Sequence, residues 1–137
     1  MSWEPRPVPT VNPETAPYWE AAADGTLLLR RCNDCELTFY YPRVRCPDCL
    51  DDDVEWVEAD GTGTVYAHTS TTNVASWPEE DLPLVLAYVE LAAGPRMLTA
   101  LQECDADAIE IGTRVEAAFV PTATDDVSIP VFEPIDE

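Results

Sequence analysis

Apolar and polar positions near the start of the chain predict an extended arm followed by one short helix. Four prolines among residues 1–14 block regular structure there. The helix is expected over residues 16–24, with Thr15 as its N-cap and Pro17 in its first turn. Gly25 can take the left-handed conformation that commonly ends a helix. Two adjacent aromatic residues in the helix should pack it against the rest of the chain.

Beyond the helix, short apolar runs separated by turn residues indicate a mainly β protein. The predicted strands cover residues 27–31, 38–41, 54–58, 64–73, 84–91, 96–102, 113–120 and 129–132. A proline-containing loop is expected at 74–83 and a helical turn at 105–108. Five or so strands with a helical turn before the penultimate one predict a small closed barrel such as an OB-fold. The hydrophobic pattern alone does not separate this fold from an SH3-like barrel.

Two Cys-x-x-Cys pairs stand between the early strands, at Cys32 and Cys35 and at Cys46 and Cys49. Ten residues separate the pairs, which is enough for a hairpin that brings them together. Four thiolates close a tetrahedral shell and leave no position for water or substrate, so a structural zinc ion in a zinc ribbon is expected. The alternatives are rubredoxin-like iron and two redox-active dithiols. Two Cys-x-x-Cys turns, here called knuckles, joined by a hairpin favour a metal site over the dithiols.

These elements predict three segments and an intracellular location. The segments are an N-terminal arm and helix (1–26), a zinc ribbon (27–58), and an OB-fold barrel with a C-terminal tail (59–137). Residues 1–11 lack the apolar core of a signal peptide, and no apolar run reaches the length of a membrane span. The chain has five cysteines, and this odd number argues against a disulfide framework. The protein is therefore expected to be cytoplasmic.

The charge balance is strongly acidic, with 27 acidic residues against seven basic ones and a formal net charge of −20. All seven basic residues are arginine, and lysine is absent. Carboxylates are spread along the chain rather than gathered in a solvated tail. This composition indicates a halophilic protein, because concentrated counter-ions would screen the repulsion among the carboxylates.

The order of the motifs resembles the DUF35 family, a rubredoxin-like zinc ribbon followed by an OB-fold. The resemblance covers about residues 13–134 and depends on the combination of several short motifs. They are Tyr18-Trp19, CNDC, PRVRCPDC (42–49), GTGTVY (61–66), Leu98-Thr99, Cys104-Asp105, Ile111-Gly112 and Pro130-Val131-Phe132. Family members often have glycine after the first CxxC and proline after the later cysteine, where this chain has Glu36 and Ala106. Neither departure touches a predicted metal ligand.

The resemblance implies a non-catalytic accessory subunit that binds a thiolase-type acyl-CoA enzyme and helps to hold or channel the CoA thioester. It also implies an alternative, a component of an acyl-CoA hydratase or aldolase complex. A nucleic-acid-binding protein is the rival from a different class, since ribbons and OB-folds often have that role. Seven positive charges against 27 negative ones argue against nucleic acid as a partner. A hetero-oligomer without activity of the isolated chain is expected.

Four arginines, the fifth cysteine and the single histidine are further candidates for chemistry. Arg43 and Arg45 could contact the phosphates of CoA, because guanidinium groups bind phosphate in a bidentate manner. The favoured interpretation is that, with Arg30 and Arg31, they balance the negative charge of a zinc tetrathiolate and of nearby acidic residues. Cys104 is expected to be a small buried apolar residue, and the single histidine a packed or rim residue. No motif pairs the two, so no catalytic residue is assigned.

Overall fold

The computed structural model describes residues 8–75, 77–123 and 127–135, which form one helix and eight strands. The helix is α1 (Ala16–Ala23), and the strands are β1 (Leu27–Cys32), β2 (Thr38–Phe39), β3 (Val54–Ala59), β4 (Thr62–Thr71), β5 (Leu84–Leu91), β6 (Arg96–Leu101), β7 (Arg114–Pro121) and β8 (Ser128–Pro134). Single 3₁₀ turns lie at Glu79–Asp81 and Ala106–Ala108. The first half of the predicted arm, residues 1–7, lies outside the described part.

Helix α1 has the predicted N-cap residue, but the hydrogen bonds at its start come from another residue. Thr15 is the N-cap residue, but its side chain makes no capping hydrogen bond to the helix. Instead the Asn12 side-chain oxygen accepts a hydrogen bond from the Thr15 backbone N–H at 3.1 Å. The Asn12 carbonyl accepts one from the Ala16 N–H at 2.8 Å. The Asn12 side chain therefore makes a capping-type hydrogen bond in the turn that leads into the helix, and Gly25 follows the helix end with φ 84°.

The zinc ribbon is a three-stranded antiparallel sheet in the order β2-β1-β3. Strand β1 pairs along its length with β3, from Leu27 opposite Ala59 to Cys32 opposite Val54. Strand β2 is shorter than predicted and ends at Phe39. The next two residues are Tyr40 and Tyr41, whose rings lie 4.9 Å apart, and Pro42 cannot donate a ladder hydrogen bond.

The remaining five strands form a closed barrel in the order β4-β5-β6-β8-β7. Strand β6 meets β8 in a parallel pair, Leu101 with Phe132, and β4 pairs with β7 to close the barrel. This Greek-key closure confirms the OB-fold and decides against the SH3-like alternative that the sequence left open. Strand β4 begins two residues earlier than predicted, because Thr62 pairs with Glu116 of β7.

The ribbon sheet and the barrel share one hydrophobic core. Tyr18 of α1 and Leu27 and Leu29 of β1 are buried in the same cluster as barrel residues such as Val65 and Phe132. A second, smaller cluster around the knuckles contains two of the cysteines with a phenylalanine and a valine. The main core thus crosses the junction between the ribbon and the barrel. The predicted segment limits at residues 26 and 58 stay predictions.

The helices of the described residues were compared with the length of a membrane span. Within residues 8–75, 77–123 and 127–135, no helix combines the length and apolar character needed to cross a bilayer. The predicted cytoplasmic location stays a prediction.

Candidate metal centre and barrel cavity

The four cysteines predicted as ligands converge at the ends of the ribbon strands. Their sulfur atoms all lie within 4.8 Å of one another. The Sγ–Sγ distance is 3.6 Å between Cys32 and Cys49 and 3.5 Å between Cys35 and Cys46. A tetrahedral zinc ion with Zn–S bonds of about 2.3 Å needs sulfurs about 3.8 Å apart. The arrangement therefore fits a four-thiolate zinc site.

The two knuckles have the same backbone geometry. In the first, the Cys32 N–H donates to the Leu37 carbonyl at 2.8 Å, and the Glu36 N–H donates back to the Cys32 carbonyl at 3.0 Å. In the second, the equivalent bonds run from Cys46 to Asp51 and from Leu50 to Cys46, both at 2.9 Å. This repeat brings each pair of thiols to one side of its turn.

Each knuckle contains a non-glycine residue in the left-handed conformation. Glu36 has φ 65° and Leu50 has φ 66°. Glu36 is the position where the sequence departs from the glycine that family members often have. The left-handed region favours glycine, so the departure costs about 1 kcal/mol and leaves the turn intact.

Backbone hydrogen bonds in the second knuckle favour the thiolate form of Cys46, whereas desolvation and the neighbouring thiols raise the pKa of Cys49. Backbone N–H groups, first that of Cys49 and also that of Asp48, direct their hydrogens at the Cys46 sulfur and lower its pKa to about 7. The Asp48 N–H lies 3.4 Å from this sulfur. Cys32 and Cys46 are buried against Phe39 and the partly buried Val54, whereas Cys35 and Cys49 face outward. A metal here would have protein on one side and closed thiolate coordination on the other, which suits a structural ion.

Two arginines of β1 have local structural partners. The Arg30 guanidinium lies 4.1 Å from the centre of the Trp56 ring and donates to the Val54 carbonyl at 3.3 Å. Partial burial lowers the pKa of Arg30. Arg31 forms an exposed ion pair with Glu36 at 3.3 Å. These contacts bind β1 to β3 and to the first knuckle.

The two arginines predicted to contact CoA lie on the exposed side of the second knuckle. Arg45 donates to the Leu50 carbonyl at 3.1 Å. Arg43 lies 5.9 Å from the centre of the Tyr41 ring, at the outer limit of a cation–π contact. Arg45 thus has a role within the knuckle, and the contact of either residue with CoA stays a prediction.

The structure also contains a cavity that the sequence pattern did not reveal. It has a volume of about 780 Å³ and lies at one end of the barrel, between the β4–β5 loop and the segment after β6. Leu82, Leu101 and Val131 are among its apolar lining residues. The two segments are separated along the chain by the whole of β5 and β6, so only barrel closure brings them together.

Only Cys104, and not the single histidine, lines this cavity. Cys104 is half-buried and lines the cavity, so the prediction of a buried residue is only partly right. His68 is exposed on β4 and is not among the residues lining the cavity. Burial, and then the nearby charges of Asp105 and Glu103, raise the pKa of Cys104. A neutral thiol is a poor nucleophile, and this position offers no activated one.

This raised pKa predicts slow alkylation of Cys104 in the metal-loaded protein. Because only the thiolate reacts, the rate with N-ethylmaleimide should go on rising with pH beyond the range in which an ordinary thiol levels off. Mass spectrometry of samples quenched between about pH 7 and about pH 10 measures this. Asp105→Asn keeps an oxygen that can accept the Asp107 N–H but removes a charge, so it should react faster. A rate that levels off below pH 9 would contradict the assignment.

The fold and the site define a class: a four-cysteine zinc ribbon joined to an OB-fold barrel. Two consecutive family models match the chain. Residues 19–55 match the ChsH2 rubredoxin-like zinc ribbon domain, and residues 56–120 match the ChsH2 C-terminal OB-fold domain. The chain is 31% identical over 90 residues to a DUF35 domain-containing scaffold protein of Methanothermobacter thermautotrophicus, covering 65% of this chain and 68% of that protein. The chain belongs to the DUF35 family.

Longer relatives and solved structures extend the comparison. A probable enoyl-CoA hydratase alpha subunit of Thermomonospora curvata is 36% identical over 129 residues, which is 94% of this chain. The chain spans only 40% of that protein's length. A solved chain titled Ltp2-ChsH2(DUF35) aldolase superposes with a TM-score of 0.78 at 36% identity, covering 92% of this chain and 98% of that one. A DUF35 protein of Sulfolobus solfataricus, with a TM-score of 0.61 at 14% identity, shares the fold.

Proposed function

We propose that this chain is an accessory subunit of an acyl-CoA enzyme complex and has no catalytic activity alone. The observation that carries the proposal is the likeness to the DUF35 chain of an aldolase over 98% of that chain's length. The closed thiolate site supports it, because four sulfur ligands leave no coordination position for a substrate. The neutral thiol of Cys104 supports it as well.

The partner we propose is a hydratase or aldolase subunit. The names of the Thermomonospora relative and of the solved aldolase chain favour this alternative over the thiolase-type enzyme that the sequence placed first. None of the relatives described above is named a thiolase, so a thiolase-fold partner stays a prediction. In either arrangement this chain supplies a binding surface and helps to position the thioester, an effect that can be large when reacting groups are held in place.

Affinity purification of the tagged chain from a native high-salt lysate tests the proposal. Mass spectrometry should find an acyl-CoA hydratase, aldolase or thiolase-type subunit at a defined ratio. The isolated chain should show none of these activities, and the reconstituted complex should exceed the partner alone. Turnover by the isolated chain, lost in Cys104→Ala or His68→Ala, would make the chain an enzyme and overturn the proposal.

We also propose that Arg43 and Arg45 contact the CoA phosphates in the complex. Replacing both with glutamine should raise the KM of the complex for the thioester about a hundredfold or more, since two charge-assisted bonds of about 1.5–3 kcal/mol each are lost. Steady-state kinetics of the reconstituted complex measures this effect. Arg96 provides the control: Arg96→Gln removes one positive charge next to Tyr66 of the barrel, 3.8 Å from its ring centre, and should leave KM unchanged.

Metal content separates a ligand contact from damage to the ribbon. The double-glutamine variant loses the Arg45 bond to the Leu50 carbonyl, worth about 1 kcal/mol, but should retain its full zinc content. A kinetically normal complex would leave both arginines with a structural role only.

The acidic composition leads to a further proposal, adaptation to high salt. Carboxylates at positions such as Asp52, Glu55, Glu58, Glu110 and Glu116 are exposed. Ion pairs such as Arg96 with Glu90, at 3.2 Å, are exposed too and offset little of the repulsion. Self-repulsion should therefore destabilise the fold where screening is weak.

The melting temperature of the metal-loaded protein should fall as salt is lowered from molar to tens of millimolar KCl. Over that range the screening length grows from about 3 Å to beyond 10 Å, so carboxylates repel across the surface. Circular dichroism melts at several KCl concentrations measure the change. Sucrose at matched osmolality is the control, because it adds no charge screening. Equal midpoints in low and molar salt would refute the halophilic proposal.

A nucleic-acid role has less support. The barrel carries two arginines in its strands, at Arg96 and Arg114, beside many carboxylates. Arg96 is already engaged with Glu90 and Tyr66. A groove that follows a phosphate backbone needs continuous positive charge, and the described barrel strands carry only these two arginines among many carboxylates.

A further inference from the structure

The barrel cavity has an apolar floor and an acidic rim. Carboxylate residues Glu80, Glu103, Asp105 and Asp107 line it from two sides. Among the described residues that line the cavity there is no arginine, lysine or histidine. All four carboxylate residues are exposed, and Asp105 also accepts a hydrogen bond from the Asp107 backbone N–H at 2.9 Å. The rim thus presents negative charge around an apolar opening.

The floor of the cavity lies at the end of β6, next to its parallel pairing with β8. The Gln102 backbone N–H donates to the Phe132 carbonyl at 2.9 Å, next to the parallel pair of Leu101 with Phe132. After this point the chain leaves the sheet and forms the 3₁₀ turn at Ala106–Ala108. Leu101 and Val131, both largely buried, and Leu82 line this end of the barrel and supply the apolar floor of the cavity.

This combination decides which kind of ligand the cavity can hold. The phosphates of CoA would meet three or four carboxylates without a compensating cation, and like charges at contact distance repel. A metal ion is not favoured either, since the four cysteines are the group of potential ligands that converges among the described residues. A cation attached to an apolar group satisfies both surfaces.

We propose that this cavity is a docking groove for a protein segment that inserts an apolar side chain beside an arginine or lysine. A volume of about 780 Å³ falls within the roughly 300–1,000 Å³ typical of binding sites. Apolar anchors in a pocket with charged residues at the rim are the usual division of roles at protein interfaces. The inference goes beyond the proposed function and does not depend on which enzyme the chain serves.

Selection from a displayed library of random dodecapeptides tests the docking groove directly. The zinc-loaded full chain serves as the target in about 0.5 M KCl, where screening over about 4 Å suppresses general attraction to the acidic surface. We expect enriched peptides to contain an aromatic or leucine residue within a few positions of arginine or lysine. Prior alkylation of Cys104 with N-ethylmaleimide should block their binding, because this thiol lines the groove.

Charge reversal inside and outside the groove provides the matched comparison. Glu103→Arg with Asp107→Arg should weaken the selected peptides at least tenfold and leaves the Asp105 hydrogen-bond acceptor in place. Glu55→Arg with Glu58→Arg makes the same charge change on β3, whose side chains do not line the cavity, and should weaken them less than twofold. Titration of labelled peptides gives the dissociation constants, and circular dichroism verifies that both variants are folded.

Three results would overturn the proposal. The first is a selection without basic residues, and the second is a loss of affinity that is equal for the two double variants. The third is competition by octanoyl-CoA: if it displaces the peptides and slows alkylation of Cys104, the cavity belongs to the thioester. Because the probes are peptides, failure here leaves the proposed subunit role intact, and failure to find an enzyme partner leaves the docking groove testable.

Discussion

Cys46→Ser should lower the zinc content of the purified chain from one equivalent to well below half an equivalent. Serine is a poor zinc ligand, and the remaining three thiols cannot close the tetrahedral shell. Binding energy at such sites is also folding energy, on the order of 10 kcal/mol or more. Because the knuckle cluster around Cys46 and Phe39 is separate from the main core, hydrogen exchange should increase mainly between residues 32 and 54.

The matched control is Cys104→Ser, which makes the same chemical change in the one cysteine outside the metal site. It should retain the metal and the protection of the ribbon amides. Elemental analysis and hydrogen exchange followed by mass spectrometry provide the two measurements. Less than half an equivalent of any metal in carefully purified unaltered protein would contradict the metal assignment itself.

The second large effect is expected at Phe132, which is fully buried in β8. Phe132 pairs with Ala117 of β7 and with Leu101 of β6, so it lies where the barrel closes. Phe132→Ala should lower the free energy of unfolding by about 3–5 kcal/mol through lost burial and an unfilled cavity. The melting temperature should fall by more than about 10 °C.

Phe119→Ala is the control for this barrel variant. Phe119 is only partly buried against the same core, so its loss should cost roughly half as much. Denaturant unfolding of the metal-loaded proteins at molar salt measures both values. A cost below about 1 kcal/mol at Phe132 would mean that barrel closure does not depend on this side chain.

Much of the metal centre and of the secondary structure was predictable from the sequence. The metal centre was predictable from Cys32, Cys35, Cys46 and Cys49, because two residues between thiols and a hairpin between pairs leave little geometric freedom. The limits of the helix and of the eight strands were predictable within one or two residues. The departures had local causes, such as the two tyrosines and the proline that end β2 after Phe39.

The backbone conformation of the knuckles was less accessible. Nothing in the residue types at Glu36 and Leu50 indicates a positive φ, since glycine is the usual signal for it. The hydrogen bonds of the two knuckles enforce that conformation once the chain has turned around the metal site. Similarly, the β-bulge between Val65 and Ala67, which accompanies the exposed position of Tyr66 beside Arg96, depends on register with β5.

By itself, the sequence determined the zinc ribbon, the β-rich barrel and the acidic surface, because these depend on spacing, periodicity and composition. Only the tertiary structure decided that Tyr18 and Leu29 share a core with Phe132, that the barrel closes as an OB-fold, and that an acidic cavity opens beside Cys104. Each of these features joins segments distant in sequence. Their contacts come from side chains meeting across strands, and no local pattern along the chain records which distant segment a side chain will meet.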